Sequence, residues 1–182
     1  MKYTIITIFI LTLFNITVQA NTYKNKNVTA KDYMRTQRLT ACEEAYNNSG
    51  LSIPYINNKA PTVACAIRMH WVYIYESATG QSDLCKNRNV CLWLKHTVNW
   101  YYWFNRYKSQ QEEMNLFAEK YFKYHYTKSA FTFIHWYKQK DWTYRWWRST
   151  TDVKPYTRFL QSIENNYWLT QEYEYLYFAN NQ

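Results

Sequence analysis

Glycine is nearly missing from this chain. Gly50 and Gly80 are the only two among 182 residues, and Pro54, Pro61 and Pro155 are the only prolines. Sandwiches and barrels turn the chain often, and tight hairpin turns favour Gly or Asn at positive φ. Asn is plentiful enough to fill some turns. Even so, two glycines predict few, long elements, which means a mainly α domain. The same scarcity excludes the glycine-rich phosphate cradle and the GxSxG nucleophile elbow.

Other chemical signatures are missing too. No HExxH zinc motif occurs, and His70, His96, His125 and His135 stand far apart. A lone histidine on an aromatic face is expected to be a hydrogen-bonded packing residue. The adjacent acids Glu43-Glu44 and Glu112-Glu113 point to different sides of a helix and read as solvated, unlike the facing carboxylates of glycoside cleavage. No catalytic set, metal site or cofactor site is expected. After the first 20 residues no apolar run approaches the roughly 20 residues that span a bilayer.

The N-terminus does carry a pattern. Lys2 gives a positive start, Ile5 to Phe14 is an uncharged apolar run, and Val18-Gln19-Ala20 ends in a small residue. This is the layout of a cleavable secretory signal over residues 1–20, with Asn21 as the new N-terminus. The remaining 162 residues suit one domain, residues 21–182. The expected location is outside the cytoplasm, secreted or periplasmic.

Four cysteines follow the signal, Cys42, Cys65, Cys85 and Cys91. Zinc sites favour ligands two to four residues apart, and no pair here is that close. An even number of cysteines in an exported chain implies two disulfides. Cys42 lies two turns before the end of a first helix, near 30–49. Cys65 lies one turn after the start of a second, near 61–79. Antiparallel packing puts them at similar heights, so the expected pairs are Cys42–Cys65 and Cys85–Cys91.

Hydrophobic spacing supplies the helices. Thr29 is a candidate cap for the first, whose ragged stripe is Met34, Leu39, Cys42, Ala45 and Tyr46, with Gly50 as its stop. Pro61 opens the second, and Val63, Ile67, Trp71, Ile74 and Ala78 recur at helical intervals before Gly80. Gln81 to Asn89 reads as a polar loop. A third helix is expected from about Val90, with Cys91, Leu94, Val98 and Tyr101 on one face. After Gln110–Glu113, which reads as a polar break or as a solvated turn of a longer helix, Met114, Phe117, Ala118, Tyr121, Phe122 and His125 continue the pattern. Thr127 to Arg148 fits a helix better than the alternative short hairpin turning at Lys140-Asp141. A last helix opens at Pro155, capped by Asp152, and buries Phe159, Leu160, Ile163, Tyr167 and Tyr173 to Tyr177. The total is about five or six helices and two disulfides.

Charge is distributed unevenly. The net charge is +9, and loss of Lys2 with the signal leaves +8. Nine Lys and Arg fall between Lys120 and Arg158 against Asp141 and Asp152, and beyond Arg158 there are only acids, Glu164, Glu172 and Glu174. The basic stretch is either a partner-binding face or a solvated face crossed by the acidic tail. Within it, Asp141 to Ser149 (DWTYRWWRS) interleaves tryptophan with arginine. Lys138, Lys140, Trp142, Arg145, Trp146, Trp147 and Arg148 form the candidate binding surface, because Trp and Arg anchor interfaces. Asn27-Val28-Thr29 and Asn47-Asn48-Ser49 fit the glycosylation pattern.

These features favour an exported, non-enzymatic binding protein that contacts another macromolecule, such as an inhibitor, immunity-type protein or effector. A cationic, aromatic-rich protein acting on anionic membranes or the cell envelope is the alternative, and a hydrolase with an unrecognised site is the third. A protein partner is expected ahead of a membrane surface, and nucleic acid last.

Overall fold

The computed structural model describes residues 30–77, 79–92, 94, 96–98, 101–103, 107–139 and 150–180. The signal segment and the DWTYRWWRS segment lie outside them. Seven helices occur among the described residues, and the fold is mainly α as expected: α1 (Ala30–Asn48), α2 (Pro61–Ser77), α3 (Asp83–Arg88), α4 (Gln110–Tyr124), α5 (Ala130–Gln139), α6 (Thr150–Glu164) and α7 (Tyr167–Asn180). One short antiparallel pair, β1 (His96–Val98) and β2 (Tyr101–Trp103), interrupts them, with Thr97 opposite Tyr102.

Polar residues at four starts explain where helices begin. Ser82, Ser109 and Ser129 each accept the N–H three residues on, from Cys85, Glu112 and Thr132, and the Asn166 side chain accepts that of Leu169. Each satisfies one of the donors that a helix start leaves unpaired. At α4 the Glu112 carboxylate also takes the Lys108 N–H at 2.7 Å, giving a variant of the capping box. Asn89, at φ 55°, closes α3 by returning its N–H to the Cys85 and Leu84 carbonyls.

α2 is the central element. Val63, Ile67, Met69, Trp71 and Val72 are buried, and the helix packs against α1, α4, α6 and α7. The most extensive helix pair is α1 on α4, and Leu39, Cys42 and Ala45 of the one and Met114, Phe117 and Ala118 of the other are buried in the same core. Both disulfides form as expected. Cys42–Cys65 joins α1 to α2 with Cα atoms 5.9 Å apart, and Cys85–Cys91 closes a short loop with Cα atoms 4.3 Å apart.

Three sequence expectations need correction. No helix starts at Val90. The N–H groups of Cys91, Leu92 and Leu94 point to the Glu113 carboxylate, so they do not enter a helical ladder, and the chain runs on into the β pair. The polar 81–89 stretch is not all loop, because Ser82 caps α3. The last helix is two helices: α6 starts at Thr150, five residues before Pro155, and the chain breaks at 165–166, where Asn166 caps α7. Asp152 therefore lies within α6 and does not cap it. Within 127–148, α5 follows the helical reading over Ala130–Gln139, and the Lys140-Asp141 turn lies outside the described residues.

Candidate functional site

Of the candidate binding surface, only Lys138 falls among the described residues, on α5. Lys140, Trp142, Arg145, Trp146, Trp147 and Arg148 fall outside them. What the structure does bring together is a set of buried polar groups around α2 and a row of exposed aromatics on α7.

Arg68 is an arginine inside the apolar side of α2. Its Nε donates to Glu164 Oε1 at 2.8 Å and its Nη2 reaches the same oxygen. Nη1 donates to the Lys128 carbonyl at 3.0 Å and lies 3.5 Å from that of His125. The guanidinium also stands over the Phe133 and Tyr121 rings, 4.9 and 5.7 Å from their centroids. Burial pushes the Tyr121 hydroxyl up to about 12, more than the nearby Arg68 charge lowers it. Arg68 therefore pins α2 to α6 and to the turn between α4 and α5. A shallow cleft of about 230 Å³, part of it open to solvent, lies over this pair and is lined by Asn57, Lys59, Ile67, Tyr121 and Glu164 among others. Nearly all of that volume is open solvent, and the enclosed part, about 10 Å³, has room for about one water molecule and no ligand.

A second cluster joins α1, α2 and α7. Arg38 Nη1 contacts His70 Nδ1 and donates to the Tyr173 hydroxyl, both at 3.2 Å, and His70 Nδ1 lies 3.0 Å from that hydroxyl. The Arg38 guanidinium stands 4.7 Å from the Tyr73 ring centroid. Arg35 pairs closely with Glu172 and more loosely with Asp32, and Lys31 reaches Glu172 at 3.9 Å. Burial, then the charges of Arg38, Arg35 and Lys31, lowers His70 to about 3, so it stays neutral and serves as a packed hydrogen-bonding residue.

These pairs show where the acidic tail goes. Glu164 meets α2 and Glu172 meets α1, so among the described residues neither pairs with the basic 120–158 stretch. Glu113 is the other departure. The adjacent acids at 112 and 113 were expected to be solvated, and only Glu112 is. Glu113 is fully buried and accepts the N–H groups of Cys91, Leu92 and Leu94 at 2.5, 2.8 and 3.1 Å.

On α7, Tyr167, Trp168 and Phe178 are exposed, Trp168 at 74%. Trp168, Gln171, Tyr175 and Phe178 recur at spacings of three and four, which puts them on one side of the helix. Sequence reading assigned Tyr167 to the buried side, but it is exposed, because the break at Asn166 resets the helix and turns Leu169 and Tyr173 inward instead. Asn47, in the second glycosylation pattern, is also exposed at the end of α1.

Among the described residues, no helix is long and apolar enough to cross a membrane, and no cluster of His, Cys, Asp or Glu is arranged to hold a metal ion. Comparisons with protein-family models, with curated proteins and with solved structures each return no match.

Proposed function

We propose that the chain is an exported, non-enzymatic binding protein, secreted or periplasmic, that acts on another macromolecule through aromatic side chains held outward on a rigid scaffold. The observation that carries this reading is the α7 face, where Trp168, at 74% exposure, and Phe178 project from a helix anchored inward by Leu169 and Tyr173. Trp and Tyr dominate interface energetics because they bury large area at little entropic cost. Two disulfides support an oxidising compartment. The tryptophan–arginine segment 138–148 is the second surface of the proposal.

The test compares Trp168→Ala with Phe178→Ala, and Trp147→Ala with Arg145→Ala/Arg148→Ala, in capture of partners from the native compartment, with thermal melts alongside. One surface variant should lose tenfold or more in affinity while melting like the wild type. If every variant captures its partners as the wild type does, the reading fails. Salt-sensitive binding to anionic vesicles that survives the α7 changes and is lost with Arg145 and Arg148 would favour the cationic envelope-active alternative.

A further inference from the structure

Asn47-Asn48-Ser49 belongs to neither proposed surface, and the fold displays it. α1 is amphipathic: Leu39, Cys42 and Ala45 are buried, while Thr40, Glu44 and Asn47 are exposed on the other side, at spacings of four and three. Asn47 ends that solvent side, one residue before the helix itself ends. The next three residues, Asn48, Ser49 and Gly50, are exposed as well. Gly50, at φ 68°, stops the helix, and a Cβ added there would meet nothing within 4 Å, so the space around the turn is open.

Local bonds hold this turn without the Asn47 amide. The Ser49 hydroxyl donates to the Tyr46 carbonyl at 2.6 Å and accepts the Leu51 N–H at 3.2 Å, and the Ser49 N–H donates to the Tyr46 carbonyl at 3.1 Å. The Tyr46 hydroxyl donates to the Ile53 carbonyl at 2.8 Å and accepts the Ile53 N–H at 3.1 Å, which ties the following loop to the half-buried Tyr46. Among the described residues the Asn47 side chain makes no hydrogen bond, so a substituent on its amide nitrogen breaks none. The contacts of α1 with the Glu172-Tyr173 part of α7 lie toward its other end, where Lys31 and Arg35 reach Glu172 and Arg38 bonds Tyr173. Arg38 stands roughly 14 Å before Asn47 along the helix axis.

Asn-x-Ser with a residue other than proline in the middle is the acceptor pattern for N-linked sugar, and a bulky, solvated glycan needs a surface position. We propose that Asn47 is an N-glycosylation site, modified as the chain enters a eukaryotic secretory pathway, a proposal that rests on the export reading. The co-reactant is an oligosaccharide joined through its first sugar to a lipid diphosphate. Asn47 Nδ2 forms a bond to the anomeric carbon of that sugar. The bond from that carbon to the diphosphate oxygen breaks, and the lipid diphosphate leaves with the electron pair. The nitrogen gives up one proton, so the product is a secondary amide and nothing is oxidised or reduced. The finished fold then has only to accommodate the glycan, and the open end of α1 does so.

Translation of the full chain in the presence of endoplasmic-reticulum microsomes tests this, with a readout that does not require the variants to fold. The protease-protected product should carry a glycan that an asparagine-directed amidase removes, leaving Asn47→Asp in the peptide map. Asn47→Gln and Ser49→Ala should each lose one mobility step, Ser49→Thr should keep it, and Asn27→Gln should not affect it. A protected product that runs alike with and without Asn47→Gln overturns the proposal and leaves the export reading standing. A product that added protease digests overturns the export reading, and this proposal with it. The Cys42–Cys65 bridge should form in the glycosylated chain, read by a non-reducing peptide map. Glycosylated chains that lack it would show that the fold does not accommodate the sugar, and would also overturn the proposal.

Discussion

At the residue scale the structure depends on a few buried charges, and Arg68 has the clearest consequences. Its donors go to Glu164 and to backbone carbonyls of the 125–128 turn, so removing the guanidinium strands acceptors on two elements. Breaking a buried pair by deleting one partner typically costs about 3–5 kcal/mol. Arg68→Ala should destabilise the protein by that order in a urea melt. Replacing both members with apolar residues, Arg68→Met with Glu164→Leu, should recover much of the loss. Equal destabilisation of the single and double variants would show that the contacts with the carbonyls and rings matter more than the ion pair. None of this follows from composition. Arg68 was visible as a charge next to Ile67 on an apolar helix, but its partner lies 96 residues away, and no local spacing points to it.

At the element scale the two disulfides divide the work. Cys42–Cys65 ties α1 to α2 across 23 residues, whereas Cys85–Cys91 spans six. Chain-entropy reasoning gives about 3 kcal/mol for the longer loop and about 2 kcal/mol for the shorter. Cys42→Ser/Cys65→Ser should therefore lower the melting temperature more than Cys85→Ser/Cys91→Ser, and strong reductant should lower it at least as far as the first pair does. A melting curve unmoved by reductant would show that the bridges do not form in solution. Gly80 makes a sharper local test. It sits at φ 85°, and an added Cβ would run into the Tyr73 hydroxyl. Gly80→Ala should lose about 1 kcal/mol or more, measured by the same melts, with relief if Tyr73→Phe is added. One helix start that the sequence reading missed carries a local signal. Ser109-Gln110-Gln111-Glu112 is a capping-box sequence, and it marks the true start of α4 that the polar composition concealed.

At the scale of the whole molecule, two buried groups titrate against each other. His70 is lowered from 6.5 to about 3, so its contribution to stability is complete above about 6.5 and is lost as pH falls toward 3. Glu113 is raised from 4.5 to about 7, so its contribution is complete below about 4.5 and is lost as pH rises through 7. Between roughly 4.5 and 6.5 the two slopes oppose each other, and the melting temperature of the wild type should be nearly flat there. His70→Gln should leave a profile that falls as pH rises, and Glu113→Gln one that falls as pH drops. Melts across pH on all three proteins check both signs. On the proposed export reading, protein recovered outside the cytoplasm should begin at Asn21, and N-terminal sequencing decides this.

Much of the architecture is local in origin. Few glycines, helical spacing of apolar residues and the Pro61 start made the helical class, the stripe of α2 and the buried side of α4 readable, and the cysteine positions relative to two helix ends made the bridges readable. What spacing could not decide is where an element stops obeying its own pattern. Cys91, Leu92 and Leu94 belong to a stretch with a helical face in sequence and yet lie outside any helix, because a carboxylate about 20 residues away takes their N–H groups. Glu113 looked like a surface acid because its neighbours are polar, and it is buried because α4 presents that side to the 91–94 segment. Periodicity records which side of a helix avoids water. Only the packed chain decides which polar group on that side finds backbone donors waiting, since those donors come from distant parts of the sequence.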